Sequence, residues 1–150
     1  MIYIIIIVLG IILDRLTKNY AINNLIENPY SGTLFNFTYL ENRGAAFGIL
    51  QDRRIFFIIL TLAIVCALVY YFLKNYKTNP KVLNIALAMI ISGAIGNFYD
   101  RLFQGYVVDF IEFAFVNFPV FNIADIFVTI GSILLIIYMI VAEESEKIWV

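Results

Sequence analysis

The chain has 150 residues, of which 63% are hydrophobic and 14% charged, with a formal net charge of −1. Soluble domains carry about 45–50% apolar and 25% charged residues, so the composition excludes an ordinary water-soluble fold, and the lack of a basic field argues against nucleic acid as a partner. There is no histidine and one cysteine, Cys66, which excludes Ser-His-Asp and Cys-His catalysis, a zinc site of several Cys or His ligands, and an intrachain disulfide.

A membrane span needs about 20 mostly apolar residues. The aliphatic run Ile2–Leu13 reaches that length only if Asp14, Arg15 and Lys18 belong to its far end, which predicts a first helix over residues 2–22. It lacks a positive n-region and a small-residue cleavage site near Leu13, so a retained span is expected rather than a removed signal peptide. Asp14 and Lys18 stand four apart on one helical face with the acid N-terminal. They read as an interfacial ion pair orienting the helix end, or as support for a substrate. Next, Gly32 marks a turn and Thr33–Leu40 alternates loosely with aromatic and β-branched residues, which predicts a hairpin. A small sheet on the membrane surface would suit Phe35, Phe37 and Tyr39. In Asn42–Gly48 two glycines and two alanines permit close backbone approach, and Asn42 offers a donor and an acceptor. On spacing alone this is a surface turn.

Ile55–Leu73, Val82–Tyr99 and Ile126–Ala142 carry no charge. They predict spans over 55–73, 82–100 and 120–142, the last extended back past Asp125 and Asn122. Cys66, in the first of these, is expected as a small buried hydrophobe. The link Lys74–Lys81 carries Lys74, Lys77 and Lys81 and no acid, so the positive-inside rule makes it cytoplasmic, with both termini. Segments 23–54 and 101–119 then lie outside, although Arg43, Arg53 and Arg54 pull the other way. With no repeat or linker, residues 1–150 read as one domain, ending in an acidic tail, Glu143–Val150.

Polar side chains inside spans are costly and therefore informative. Ser92, Gly93 and Gly96 suit close helix packing in lipid. Asn97 and Arg101 share a face with Asp100 between them at the helix end, and read as a shell organising the adjoining loop or as a substrate contact. Asp109 and Asp125 each sit in apolar sequence, with Asn122 one turn before Asp125. Either acid alone reads equally as a structural residue. Two such acids at one membrane surface favour function. Two carboxylates sharing a site hold one proton between them, so one can activate water while the other donates to a scissile carbonyl.

DRLTK (Asp14–Lys18), NRGAAFG (Asn42–Gly48), SGAIGNFYDR (Ser92–Arg101), GYVVDF (Gly105–Phe110) and FNIAD (Phe121–Asp125) occur in the order and approximate spacing of the lipoprotein signal peptidase (signal peptidase II) family. The chain resembles that family from Asp14 to Asp125. The resemblance implies an all-α membrane protein with four transmembrane helices and a small extracytoplasmic β-rich platform between helices one and two. It implies a bacterial cytoplasmic-membrane aspartic protease that cuts diacylglyceryl-modified prolipoproteins just before the lipidated cysteine. The catalytic pair maps onto Asp109 and Asp125, with Asn97, Asp100, Arg101 and Asn122 around it and Asp14, Lys18, Asn42 and Gly44 at other signature positions. No metal or cofactor is expected. The partners are the lipidated substrate, membrane lipids and the inhibitor globomycin, and the protein is expected to be monomeric. Arg15 replaces the family's usual glutamine, and Ser92 the first of two usual glycines. Phe35, Phe37 and Phe47 are expected to clamp the substrate.

Three other readings compete. A small transporter would use Asp14 at the bilayer centre; a non-enzymatic subunit would tolerate loss of both acids; a serine–lysine protease would need Ser92 beside Lys18.

Overall fold

The computed structural model describes residues 1–44 and 50–147, with side chains described to residue 142. Phe47 lies outside them. Four helices, α1 (Ile2–Asn24), α2 (Arg54–Asn75), α3 (Lys81–Phe103) and α4 (Ile123–Lys147), alternate with short strands β1 (Tyr30–Ser31), β2 (Phe35–Asn42) and β3 (Val107–Phe113). Away from water, backbone N–H and C=O groups must be satisfied within the segment, which is why the long apolar runs become helices. Pro80 stands directly before α3, where a missing N–H is not needed. The last helix begins at Ile123 rather than residue 120. Asn122 is its cap: its Oδ1 accepts the Asp125 N–H at 2.9 Å, and its own N–H donates to Asp125 Oδ2 at 3.1 Å. This reciprocal pair is a capping box.

α3 is the hub, packing against α1, α2 and α4. Small residues let the helices approach. A Cβ on Gly93 would overlap the Ala124 carbonyl oxygen, and one on Gly96 would lie 2.6 Å from Asp14 Oδ2. By length and composition α2, α3 and residues 123–142 of α4 are apolar enough to cross a membrane. α1 is as long as α3 but carries Asp14, Arg15 and Lys18. The outer faces of α2 and α4 are apolar and exposed, as at Ile59, Leu62, Ile136 and Ile140, a surface suited to hydrocarbon rather than water. Cys66 belongs to that exposed surface, contrary to the expectation of burial: α2 turns only a narrow face, including Phe57 and Phe72, to its neighbours.

The platform also differs from expectation. It is a three-stranded antiparallel sheet ordered β1-β2-β3, and its third strand comes from beyond α3 rather than from the link between the first two helices. Leu40 pairs with Asp109 and Asn42 with Val107, with an irregularity between Phe37 and Leu40. Phe121 bridges to Ile111 on the other edge of β3. A core of Ala21, Leu25, Val108, Phe110 and Ile111 fixes the sheet to the end of α1. A second core, Phe72, Leu83, Leu87 and Ile91, joins α2 to α3. At that opposite end buried Asn84 donates to the Tyr76 carbonyl at 2.7 Å, ordering the link between these helices.

Candidate active site

Polar groups concentrate where the sheet meets the helices. Asp14, Lys18, Asp100, Asp109 and Asn122 are all at most 1% exposed. Buried charges are tolerable only when paired and hydrogen-bonded, and these are. Lys18 Nζ lies 3.1 Å from Asp14 and 2.8 Å from Asp100, so the expected i,i+4 ion pair on α1 also takes in α3. Asp14 Oδ1 accepts the Ala124 N–H at 3.2 Å, which sets Asp14 level with the first turn of α4, the edge of that span rather than its centre. Ser92 Oγ donates to the Ile7 carbonyl at 3.1 Å, in the α1–α3 contact, and no serine–lysine pair forms.

Three asparagines hold Asp109 and Asp125, and one of them, Asn97, also meets the ion cluster at Lys18. Each amide is oriented by a group whose polarity cannot reverse. Lys18 donates to Asn97 Oδ1 at 2.8 Å, so the Asn97 nitrogen donates to Asp125 Oδ1 at 2.7 Å. The Asp125 N–H occupies Asn122 Oδ1, so the Asn122 nitrogen donates to Asp109 Oδ1 at 2.6 Å. The Gly44 N–H donates to Asn42 Oδ1 at 3.0 Å, so the Asn42 nitrogen donates to Asp109 Oδ2 at 2.8 Å. Both carboxylates thus accept at both oxygens, and Asn122 touches each of them. Arg101 donates to the Gly44 carbonyl at 3.2 Å and stacks 5.0 Å from the Phe57 ring.

Burial, and then the negative charge of Asp125, push the Asp109 carboxyl up to about 7, against the opposing pull of the Asn42 and Asn122 donors and of Lys18. A carboxyl so placed is half protonated near neutrality. Both acids line one cavity of about 500 Å³. Asn42, Asn97 and Arg101 share its polar end, and Phe113, Phe118, Val120 and Ile130 are among its apolar walls. The polar residues expected at the site, with Gly44, therefore fall in one connected network. Three contributors were given no role at the site from the sequence. Arg15 pairs with both Asp14 and Asp100, Gln104 donates to Asp100 at 3.2 Å, and Arg54 donates to the carbonyls of Arg101 and Leu102 at 2.8 and 2.9 Å. Gln104 had a signal in its spacing of four from Asp100, and Arg15 in its place beside Asp14 within the first motif.

The fold is shared with a solved bacterial membrane enzyme, determined by the in meso method at 2.3 Å resolution. The TM-score is 0.84 at 39% identity, covering 92% of this chain and 87% of that one. Residues 6–141 match the family model for signal peptidase II, and the chain belongs to that family. It is 51% identical to the lipoprotein signal peptidase of Clostridium tetani, over 97% of this chain and 98% of the relative. It is 46% identical to that of Clostridium novyi, over 91% and 96%. The family is one of proteases that remove signal peptides, so the rival transporter and subunit readings give way.

Proposed function

We propose that this protein is an aspartic endopeptidase that cuts diacylglyceryl-modified prolipoproteins just before the lipidated cysteine, with Asp109 and Asp125 sharing one proton. The observation that carries the reading is the joint hold of Asn122 on both carboxylates at one cavity. Asp125 accepts a backbone N–H in the first turn of α4, where the helix N-terminus also favours an anion. It is the ionised member and takes a proton from water. Asp109 holds the shared proton and donates it to the scissile carbonyl oxygen. Water oxygen bonds to the carbonyl carbon. The resulting diol returns a proton to Asp109 as the C–N bond breaks, and the leaving amine takes the proton held by Asp125. The pair ends with one proton again, and no metal or cofactor is required.

Supporting the substrate assignment, the apolar part of the cavity suits acyl chains and its polar end an extended peptide. Phe35 stacks on Phe113 at 5.3 Å, beside this apolar wall, in keeping with a substrate clamp. The reading takes α1 as a fourth span, with its charges neutralised at the sheet end. The Lys74–Lys81 link and both termini are cytoplasmic, and the site faces outward in the bacterial cytoplasmic membrane. The protein works as a monomer and is inhibited by globomycin. The test is cleavage of a diacylglyceryl-modified prolipoprotein by purified protein, with the product read by mass spectrometry. Wild type should cut before the lipidated cysteine, and folded Asp109→Asn and Asp125→Asn forms should lose at least about 1,000-fold in kcat. Retention of the rate by either variant would remove that residue from the mechanism.

A further inference from the structure

Beneath the two proposed catalytic acids lies a charge cluster that the mechanism does not use. Asp14 and Asp100 are buried together, and Lys18, itself buried, bridges them. One lysine balances one of the two carboxylates. The second cation is Arg15, whose Nη2 lies 2.7 Å from Asp14 and Nη1 2.5 Å from Asp100, with its guanidinium 4.8 Å over the Tyr99 ring. Its Nε is buried with no acceptor among the described residues, so the contacts of the guanidinium are made by its two Nη atoms. The cluster reaches the site twice. Asp100 Oδ2 accepts the Val108 N–H at 3.3 Å, one residue before Asp109. Lys18 holds Asn97, whose nitrogen then donates to Asp125.

We propose that Arg15 is a positioning residue for cleavage: by balancing the second buried aspartate it leaves Lys18 able to hold Asn97, and so keeps a donor aimed at Asp125. This rests on the catalytic assignment above. Without Arg15, Lys18 is the lone counter-charge of two carboxylates and is drawn onto them, away from Asn97. A net negative charge also remains beside the site. The charged groups facing it are Asp14, Arg15 and Lys18 from α1, Asp100 and Arg101 from α3, Asp109 from β3 and Asp125 from α4. Loss of the donor and excess negative charge both disfavour ionisation of the catalytic pair. The acid limb of the pH–rate profile therefore moves to higher pH.

The experiment measures kcat and KM for a lipidated prolipoprotein in detergent across the pH range for wild type, R15Q, R15K and the double variant D14N/R15Q, with D125N as control and thermal melts to verify folding. Glutamine keeps a polar side chain with hydrogen-bond donors but no charge, so R15Q isolates the charge. It should move the acid limb up by about half to one pH unit and lower kcat more than it raises KM. R15K restores the cation and D14N/R15Q removes the matching anion, so both should return the limb to the wild-type position. An R15Q limb at the wild-type position overturns the proposal, as does a double variant displaced as far as R15Q. If R15Q yields no folded protein, R15K and D14N/R15Q carry the test, and displacement of either limb overturns it. Wild type that fails to cleave overturns the catalytic assignment and this proposal together. Wild type that cleaves while R15Q matches it overturns this proposal alone.

Discussion

Asn122 is a cap, a bridge and an amide of fixed polarity at once. Its nitrogen reaches Asp109, its oxygen receives the Asp125 N–H, and its own N–H returns to Asp125. Asn122→Ala removes the donor to Asp109 and the cap of α4 together, and a hydrogen bond to a charged group is worth about 1.5–3 kcal/mol. Cleavage should fall by roughly 10–100-fold in kcat, and a melt should show lower stability. The Asp109 carboxyl, raised to about 7, also has two pH consequences. As the proposed proton donor it loses its proton as pH rises through about 7, so cleavage should decline on that side. Its folded form binds the proton more tightly than the unfolded chain does. The stability this adds is fully present below the ordinary aspartate value near 3.9 and is lost as pH rises through about 7. Asp109→Asn removes the cost of a buried charge but sets an amide NH2 against one of the two asparagine donors, so its stability relative to wild type should rise as pH climbs through about 7, while it stays inactive. A variant no more stable at pH 8 than at pH 5, relative to wild type, would contradict this.

Among the elements, the α3–α4 contact depends on absent side chains. A methyl at Gly93 meets the Ala124 backbone and Val128, and neither can retreat without separating the helices. Gly93→Ala should destabilise by about 1–3 kcal/mol, read as a lowered melting temperature in detergent. Arg54 ties the start of α2 to the last carbonyls of α3, groups that a helix end leaves without partners. Much of this architecture was legible beforehand. Uncharged runs marked α2, α3 and the body of α4, and the Ser92–Gly96 stretch marked the close packing. β3 was not legible as a strand. Val107–Phe113 is apolar around Asp109 with no alternation, because nearly all of it is buried against α1 and the segment before α4. α4 starts a few residues inside the expected span, because an apolar run does not reveal that Asn122 is its cap. The candidate acids were visible because charge in apolar sequence is rare. Arg15 was not read as a partner of Asp100, since nothing in sequence spacing relates residues on different helices.

For the whole molecule, the buried charges among the described residues gather where the sheet meets the helices, while the outer faces of α2 and α4 are apolar. Cys66 offers a direct check, since it lies on the exposed face of α2 within the span. In intact membranes it should resist a charged, water-soluble maleimide and react with a small lipophilic one, and denaturation should abolish the difference. Ready labelling by the charged reagent would take α2 out of the bilayer. The sheet has a further consequence. β2, which carries Asn42, is synthesised before α2 and α3, whereas β3 with Asp109 and the turn of Asp125 come after them. The cavity thus joins the early and late parts of the chain, with two helices threaded between, and such long-range pairing forms late. A nascent chain halted before its last helix lacks Asp125, and so holds only one of the two proposed catalytic acids. On the proposed mechanism, the order of synthesis keeps the hydrolase silent until its final segment has been made and has folded against the rest.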